Sequence, residues 1–479
     1  MQHVRESLFV GGDWRSPSSA DVITVVSPTT EEPFGRAPEA SPVDVDAAVA
    51  AARAALPGWA ARTPAERADA MEAFADALEA RADETAAIVT GENGMPTGIA
   101  RPAEGRGPAA ALRYYAGLAR DTPLEERRRA IGGPGVTVVR REPVGVVAAV
   151  VPWNFPQTLT MFKVAPALAA GCPVVVKPAP ETALDAFQLA DAAVAAGLPA
   201  GLLNIVPGGR EVGARLVAHP GVDKVAFTGS TAAGRTIAET CGRLLRPVTL
   251  ELGGKSAAIV LDDADLVQLA RGLSWASLLN NGQTCYLSTR ILAPRRRYAE
   301  VVEAVAGLAA SMPVGDPSDP ATRIGPLVSA RQRDRVEGYV AAALAEGARV
   351  VTGGRRPVHL ERGWFIEPTV LADVDPAATV AREEVFGPVL AVLAYDTVDD
   401  AVSSPTTPST AWAERSGPAD EERGIQLARR VESGSVGVNF YNLDLGSPFG
   451  GVKASGLGRE LGPEGLEAYV AYKSIYTRG

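Results

Sequence analysis

Apolar residues recur at helical spacing over residues 43–90. The stretches "DVDAAVAAARAAL" and "TPAERADAMEAFADALEARADETAAIV" repeat them every three or four positions, as one face of an α-helix does. Thr63 followed by Pro64 is typical of a helix N-cap and first turn. We therefore predict successive helices here, one of which begins at Thr63 and Pro64.

Between residues 145 and 252, short and fully apolar runs alternate with Ala-rich helical stretches. Strands that are apolar on both faces indicate a parallel sheet covered by helices on both sides. This is the pattern of a doubly wound α/β domain, whose ligands bind beyond the carboxyl ends of the strands. The predicted strands are 145–151, 173–176, 202–206, 223–227 and 247–252, and the predicted helices are 157–170, 182–196 and 231–243.

A second α/β pattern follows, and the break near "ELGGKS" is the predicted domain boundary. The end of the chain, "LEAYVAYKSIYTRG", alternates like a strand, as does "GGPGVTVVRRE" (132–142), so each is expected to pair with another element or another subunit. We predict two doubly wound α/β domains with a small β extension. The first domain takes residues 1–120 and 144–252, the second 253–453, and the extension 121–143 and 454–479. In the second domain we expect helices near 297–311 and 329–347 and strands near 288–293, 369–374 and 389–395.

Composition narrows the classes of function. With 46% hydrophobic and 22% charged residues, the 479-residue chain is typical of a soluble globular protein of two or three domains. The N-terminus has no signal-peptide core and no apolar run reaches the ~18 residues of a membrane span, so we expect a cytoplasmic protein. A net charge of −9 disfavours nucleic acid as a partner.

Cysteine and histidine usage argues against disulfides and metal. Cys172, Cys241 and Cys285 are odd in number and far apart, and the chain's three histidines show no HExxH spacing. Small-molecule chemistry is the favoured class, with no metal ion.

Cys285 lies in the segment "NGQTC". Gly282 permits a close backbone approach there, and the neighbouring Asn and Gln side chains offer polar groups to a buried turn. Taken alone, such a cysteine is more often a small buried hydrophobic residue than a nucleophile.

Two further segments change that balance. "LELGGKS" (250–256) puts Glu251 at the end of an apolar strand, where poor solvation raises a carboxyl pKa towards the range of a general base. "VPWNFP" (151–156) holds Asn154 between two prolines as a rigid amide donor suited to an oxyanion. A solvated strand end and a turn-stabilising Asn are the alternatives for each residue alone.

Together these segments resemble the aldehyde dehydrogenase superfamily in order and spacing, with Cys285 following Glu251 by 34 residues. The resemblance runs from about residue 8 to the end of the chain. The matching motifs are "VPWNFP", "VVVKPAPET", "GLLNIVPGG", "VAFTGSTAAG", "LELGGKS", "NNGQTC", "GDPSDPATRIGPLVS", "FIEPTV", "EEVFGPVL" and "SPFGGVKASGLGRELG".

The resemblance implies a Rossmann-like NAD(P)-binding first domain, a catalytic second domain and a covalent mechanism. Cys285 as thiolate would add to the aldehyde carbon, and Asn154 with the Cys285 backbone N–H would hold the oxyanion. Hydride transfer to the nicotinamide would leave a thioester, which Glu251 would hydrolyse by activating water. Glu251 is also a candidate for deprotonating the thiol.

The resemblance also implies the cofactor site. Lys177 would lie near the adenosine ribose and Glu384 on the nicotinamide ribose, although a solvated surface charge is the alternative for both. Many NAD-preferring relatives carry a carboxylate three residues after the lysine, where this chain has Pro180 and then Glu181. We therefore predict that the enzyme uses both NAD and NADP, with a modest preference for NAD. The implied cofactor residues are Pro152, Trp153, Lys177, Pro180, Gly213, Phe227, Gly229, Ser230, Leu252, Glu384 and Phe386.

The positions that face the substrate by family analogy carry no cation, so an apolar or aromatic aldehyde is favoured over a dicarboxylic semialdehyde. Membership of an ordinary apolar core is the alternative for some of them. A homodimer or homotetramer is implied, with the terminal strand and residues 132–142 as contacts. The implied substrate positions are Phe155, Leu159, Phe162, Thr284, Tyr286, Leu443, Leu445 and Phe449.

Residues 403–418, "SSPTTPSTAWAERSGP", depart from the family pattern, which has "ANDxxYGL" and an apolar strand here. Read one base out of register with suitable codons, positions 405–416 encode "ANDSVYGLGGAV". We hypothesise two compensating single-base shifts, and predict an irregular segment and reduced stability or activity. One alternative function is that of a CoA-acylating relative, but such enzymes generally lack a carboxylate at the position of Glu251. The other is a catalytically impaired homologue that has a binding or structural role.

Overall fold

The computed structural model describes residues 3–403, 409–412 and 418–478. Its strands are β1 (His3–Val4), β2 (Leu8–Val10), β3 (Asp13–Arg15), β4 (Val22–Val26), β5 (Pro33–Pro38), β6 (Glu125–Arg129), β7 (Val136–Pro143), β8 (Val147–Val150), β9 (Val174–Lys177), β10 (Leu203–Ile205), β11 (Lys224–Gly229), β12 (Val248–Leu252), β13 (Ala257–Val260), β14 (Arg290–Pro294), β15 (Arg349–Thr352), β16 (Thr369–Ala372), β17 (Val389–Tyr395), β18 (Ser409–Trp412), β19 (Val436–Val438), β20 (Gly456–Leu457) and β21 (Val470–Thr477).

The α-helices are α1 (Pro42–Ala60), α2 (Pro64–Glu79), α3 (Ala82–Asn93), α4 (Thr97–Ala100), α5 (Gly107–Asp121), α6 (Pro156–Ala170), α7 (Ala186–Ala195), α8 (Arg210–Ala218), α9 (Thr231–Arg243), α10 (Leu266–Ala276), α11 (Tyr298–Ser311), α12 (Ala330–Ala345), α13 (Thr379–Arg382), α14 (Val398–Ser403), α15 (Pro418–Ala428) and α16 (Gly462–Glu467). A π-helical turn spans Arg101–Arg106, and 3₁₀ turns span Pro180–Thr182, Leu279–Gly282, Arg295–Arg297 and Lys453–Ser455. In the described residues, no helix combines the length and apolar character needed to cross a membrane.

The first sheet has the strand order β20-β12-β11-β8-β9-β10-β2-β3, and its five central strands are parallel. The chain runs from β8 to β9 and β10 in one direction and places β11 and β12 on the other side. The order therefore reverses between β8 and β11, and a crevice opens at their carboxyl ends. The strands predicted between residues 145 and 252 are confirmed.

Alternating side chains of the first sheet enter two separate cores. Val147 and Ala149 of β8 pack with helices α2, α5, α6 and α7, whereas Ala148 and Val150 pack with α1, α8 and α9. Burial on both faces explains why these strands are apolar at every position.

The second sheet has the order β15-β16-β17-β14-β13-β18-β19 and is parallel except at β15. The chain passes from β12 of the first sheet, which ends at Leu252, to β13 of the second, which begins at Ala257. Alternating residues of β13 again face two layers, one with α12, α13, α14 and α15 and the other with α10 and α11.

A third sheet, β21-β7-β6, holds the end of the described chain. Val470 pairs with Pro143 and the ladder continues to Thr477 opposite Val136. The terminal strand thus pairs with another element of its own chain, which is one of the two arrangements expected from the sequence. Residues 456–457, predicted to be part of the tail, form β20 at the edge of the first sheet. A small sheet, β1-β5-β4, was not predicted.

The anomalous segment 403–418 is described only in part. Residues 404–408 and 413–417 lie outside the described residues, so the predicted irregularity stays a prediction for them. Ser409–Trp412 forms β18, which pairs in parallel with β13 and β19. Here the chain continues the second sheet in the place where the family pattern has a strand.

Candidate active site

The turn that carries Cys285 has a left-handed backbone at three successive residues. The φ angles are 48° at Asn280, 60° at Asn281 and 75° at Gly282. Asn tolerates this region better than other residues with a side chain, and Gly tolerates it best. A Cβ at Gly282 would lie 2.2 Å from the carbonyl carbon of Gly387, so only glycine fits. The close approach predicted from the sequence is confirmed.

Buried amide side chains fasten this turn to distant parts of the chain. Asn281 donates to the carbonyl oxygen of Gly94 (2.9 Å) and accepts from the Gly325 N–H (2.6 Å). Gln283 accepts from the Val328 N–H through Oε1 at 3.0 Å. The polar side chains around the cysteine thus hold the backbone that positions it.

Asn154 links the first sheet to the same turn. Its Nδ2 donates to the carbonyl oxygen of Gln283 at 3.0 Å, and Asn280 Nδ2 donates back to the Asn154 carbonyl at 2.8 Å. The preceding residue is also held, since Asn93 donates to the Trp153 carbonyl at 2.7 Å. Asn154 is buried, so its amide is rigidly placed, as the flanking prolines predicted.

Glu251 and Cys285 line one small cavity. Glu251 lies on β12 and is 5% exposed, which excludes the alternative of a solvated strand end. Its Oε2 accepts from the Gly451 N–H at 3.3 Å, and its buried Oε1 has no hydrogen-bond partner in the part of the chain that the structure describes. The structure therefore brings together a thiol and a carboxyl group that are 34 residues apart. The other lining residues are Leu252, Gly254, Tyr286, Phe449, Gly450, Gly451 and Ser455.

Burial shifts the pKa of both groups upwards, towards their neutral forms. Burial, and then the charge of Glu460, raise the pKa of Glu251 well above its ordinary value. Burial, reinforced by the charges of Glu384 and Glu251, raises the pKa of Cys285 to about 12. The resting cysteine is thus a thiol. The thiolate expected from the sequence can form only when a base removes the thiol proton.

A buried ion pair that sequence reasoning missed lies behind Glu251. Lys163 Nζ is 2.8 Å from Glu460 Oε1 and 2.6 Å from Thr228 Oγ1, and both charged side chains are almost completely buried. The available signal was a lysine inside the apolar helix "TMFKVAPALAA". The two charges act on Glu251 in opposite directions, because Glu460 raises its pKa and Lys163 lowers it.

An apolar cluster surrounds the thiol side of the cavity. Tyr286 packs against Tyr441 with ring centroids 5.0 Å apart and against Phe449 at 6.4 Å. Tyr441, which the sequence analysis did not select, also hydrogen-bonds to Ser435 through its hydroxyl (2.7 Å). Thr284 lies outside this cluster and donates to the Leu279 carbonyl. The other predicted substrate positions belong to the cluster with Cys285, namely Phe155, Leu159, Phe162, Tyr286, Leu443, Leu445 and Phe449.

The predicted pyrophosphate residues lie at the crevice. Ser230 caps α9 directly after β11, so the helix N-terminus opens at the carboxyl edge of the sheet, where phosphate groups bind. Gly229 lies under the Phe227 ring and leaves the approach free of a side chain. These features fit a dinucleotide in the crevice.

The remaining predicted cofactor residues belong to the first α/β unit, except Glu384 and Phe386, which belong to the second. Lys177 is buried, and its Nζ donates to the carbonyls of Pro178 and Gly208 at 2.8 and 2.7 Å, so it is not a solvated surface charge. Glu384 accepts from the Gly254 N–H at 3.5 Å, and burial raises its pKa to about 7. Trp153 and Phe386 pack edge to face at 5.3 Å. Pro152 follows β8, Pro180 opens a 3₁₀ turn, Gly213 lies over the Lys177 stem, and Leu252 ends β12.

This fold and site define a class, a nucleotide-dependent oxidoreductase with a cysteine beside a buried carboxyl. The aldehyde dehydrogenase family profile matches residues 14–475. Geranial dehydrogenase of Castellaniella defragrans is 52% identical over 99% of both chains. An NAD⁺ complex of a Mycobacterium tuberculosis aldehyde dehydrogenase is 46% identical, with a TM-score of 0.95 over 99% of this chain and 98% of that one. A Pseudomonas syringae AldC mutant with NAD⁺ and octanal is 37% identical, with a TM-score of 0.91 over 98% and 96%.

The chain belongs to the aldehyde dehydrogenase family. It is an oxidoreductase that oxidises an aldehyde with NAD as the electron acceptor. A CoA-acylating enzyme and a catalytically impaired homologue are not favoured by these comparisons.

Proposed function

We propose that this enzyme converts an apolar aldehyde to its carboxylic acid, with Cys285 as nucleophile, Glu251 as general base and Asn154 as an oxyanion donor. The observation that supports this most directly is the single cavity lined by Cys285 and Glu251, which adjoins an apolar cluster. The chemistry needs a nucleophile and a base within reach of one reacting carbon.

The protonation states assign the first step. Because the Cys285 thiol has a pKa of about 12, Glu251 in its carboxylate form takes the thiol proton as sulfur adds to the aldehyde carbon. Among the described residues, the Glu251 Oε1 atom has no hydrogen-bond partner, so it is free to receive that proton. Asn154 uses one N–H on Gln283, and the other N–H, with the Cys285 backbone N–H, stabilises the oxyanion.

The second half of the reaction uses the same groups. NAD, when bound, supplies the hydride acceptor, and the enzyme is left with a Cys285 thioester. After the first proton has passed from Glu251 to solvent, Glu251 removes a proton from water as the water oxygen attacks the thioester carbon. The Cys285 sulfur leaves as a thiolate and takes up that proton, which restores the thiol. A raised pKa makes Glu251 a stronger base than an ordinary solvated carboxylate.

For the cofactor we propose contacts on both sides of the crevice. The N-terminus of α9, with Gly229 and Ser230, would hold the pyrophosphate, and Glu384 would hold the nicotinamide ribose. The loop after β9, which carries Lys177 and Pro180, would hold the adenosine ribose.

The apolar cluster around Cys285 indicates the substrate class. Burial of hydrocarbon against Phe155, Leu159, Phe162 and Phe449 contributes about 25 cal/mol per Å². The comparisons support the same class, since one relative is a geranial dehydrogenase and another was crystallised with octanal. We therefore propose terpenoid or medium-chain aliphatic aldehydes.

We further propose a cytoplasmic homodimer or homotetramer that assembles through the third sheet. β21 is an edge strand, and its Tyr472, Ile475 and Tyr476 are exposed. An unpaired edge with apolar side chains is suited to pairing with a second copy. Cys285 has to stay reduced, which suits the cytoplasm.

We also propose the division into NAD(P)-binding domain, catalytic domain and extension at the boundaries given above.

The test is NADH formation by the purified enzyme across terpenoid, aliphatic, aromatic and dicarboxylic-semialdehyde substrates, with Cys285→Ala as the inactive control. We expect the highest kcat/KM for the apolar aldehydes and equal amounts of acid and NADH. If a semialdehyde is preferred over all apolar aldehydes, the substrate class is wrong. If acyl transfer to CoA replaces acid formation, the proposed hydrolytic step is wrong.

A further inference from the structure

The loop after β9 carries an acidic residue that the second α/β unit engages. In doubly wound nucleotide-binding domains, a carboxylate beyond the second strand binds the ribose 2′-hydroxyl, and an arginine nearby accommodates a 2′-phosphate. Here β9 ends at Lys177, Pro180 cannot supply a carboxylate, and Glu181 follows. Glu181 Oε1 lies 3.0 Å from Nη2 of Arg331, which is 150 residues further along the chain.

Arg331 projects from a helix that borders the cofactor crevice. It is the second residue of α12, and Gln332 next to it donates to the Phe386 carbonyl at 2.7 Å. One turn further on, Arg335 donates to the Glu384 carbonyl at 2.7 Å. The helix is therefore fixed against the segment that carries two cofactor residues, while the Arg331 side chain reaches across to the loop after β9.

The Arg331 side chain is free to change partner, unlike the lysine beside it. Its side chain is 84% exposed and that of Glu181 is 25% exposed. Ion pairs this exposed to water are weak, so an anion with more charge can displace the carboxylate. Lys177 is buried and already donates to two backbone carbonyls, so it cannot move in the same way.

We propose that Arg331 selects between the two cofactors. When NADP binds, Arg331 breaks its ion pair with Glu181 and binds the 2′-phosphate. With NAD, Glu181 accepts a hydrogen bond from the 2′-hydroxyl and keeps Arg331 as its partner. With NADP, the phosphate takes Arg331 through charge-assisted hydrogen bonds that a guanidinium makes in pairs. The inference rests on the use of a nicotinamide dinucleotide and adds a residue from the second α/β unit to that site.

The test measures Kd of the full-length enzyme for NAD⁺ and NADP⁺, and for the fragments 5′-AMP and adenosine 2′,5′-bisphosphate. We expect Arg331→Ala to lower the ratio of NADP to NAD affinity about tenfold or more, and Arg331→Lys to lower it less. Glu181→Gln is expected to raise the same ratio several-fold, because it removes both the competing carboxylate and the repulsion of the phosphate.

The matched control is Arg362→Ala, because Arg362 forms an exposed pair with Glu32 at 2.9 Å. This variant is expected to leave the affinity ratio unchanged. The proposal is overturned if Arg331→Ala changes both affinities equally or neither, or if the wild-type enzyme binds NAD⁺ but not NADP⁺. If the wild-type enzyme binds neither NAD⁺ nor NADP⁺, the proposed cofactor site itself is wrong.

Discussion

The side-chain amide of Asn154 lies 3.0 Å from the carbonyl oxygen of Gln283, two residues before Cys285. The contact joins a loop at the carboxyl end of the first sheet to the turn of the second α/β unit that carries the thiol. Because the amide is fixed by this bond, its remaining N–H points in a set direction, which is what an oxyanion donor requires.

Replacing Asn154 by Ala is expected to lower kcat/KM about 10²- to 10³-fold, because one preorganised donor to the oxyanion is lost. Asn154→Asp is the matched control, since it keeps the size of the side chain and removes both N–H donors. Steady-state kinetics with an apolar aldehyde measures the loss, and thermal melting shows how much comes from the broken contact with Gln283. An Asp variant as active as the wild type would contradict the donor role.

Alkylation of Cys285 by iodoacetamide is expected to be slow at pH 7 and to accelerate about tenfold per pH unit up to pH 10, without a plateau. The pKa of about 12 means that the thiolate fraction still rises across this range. Peptide mass spectrometry at timed intervals gives the rate at this residue, with Cys285→Ala as the blank. A plateau below pH 8 would show that the resting group is a thiolate.

Glu251→Gln is expected to abolish steady-state turnover and also to slow the first burst of NADH, because Glu251 serves both thiol deprotonation and thioester hydrolysis. Stopped-flow fluorescence separates the two phases. A burst at the wild-type rate followed by no turnover would limit Glu251 to hydrolysis. Full turnover would contradict its role as the base.

Glu460→Gln is expected to move the acidic limb of the pH–kcat profile to lower pH. The Glu460 charge helps to raise the pKa of Glu251, and Lys163 opposes it, so removal of the carboxylate lets that pKa fall. A lower pKa keeps the base deprotonated further into acid. Exposed Glu464 provides the control variant Glu464→Gln, and a limb that stays in place or moves up would show that the coupling is wrong.

The stability of the enzyme is expected to fall as pH rises from about 5 to 8, in part through Glu104. Its carboxyl accepts from the Gln157 N–H at 2.8 Å at the start of α6, and burial raises its pKa to about 8. The native state therefore binds a proton that the unfolded chain releases above its ordinary pKa near 4.5. The contribution of Glu104 to the free energy of unfolding falls by about 1.4 kcal/mol per pH unit in this window and levels off above it.

Glu104→Gln mimics the neutral carboxyl and is expected to flatten this dependence. Urea unfolding at several pH values measures the difference between wild type and variant, which isolates Glu104 from other titrating groups. Equal slopes between pH 5 and 8 would contradict the raised pKa.

The sequence alone predicted the parallel strands of the first sheet, although it did not predict the small sheet β1-β5-β4. Strands buried on both faces are apolar throughout, so β8, β9 and β11 were visible as short runs between helices. Cys285, Glu251 and Asn154 were selected because each lies in a short motif with a chemical reason for its residue types and because the three motifs together resemble one family, and their catalytic roles stay predictions. Local periodicity and motif chemistry depend on residues that are close together in the chain, so they can be recognised in the sequence itself.

The tertiary structure decided everything that depends on residues far apart in the chain. Burial raised the Cys285 pKa to about 12, and no motif shows how much water surrounds a thiol. Lys163 meets Glu460 across 297 residues, and Glu181 meets Arg331 across 150, in each case because the packing of helices on sheets brings them together. Contacts of this kind have no local signal, since they depend on which faces the folded layers bury against one another.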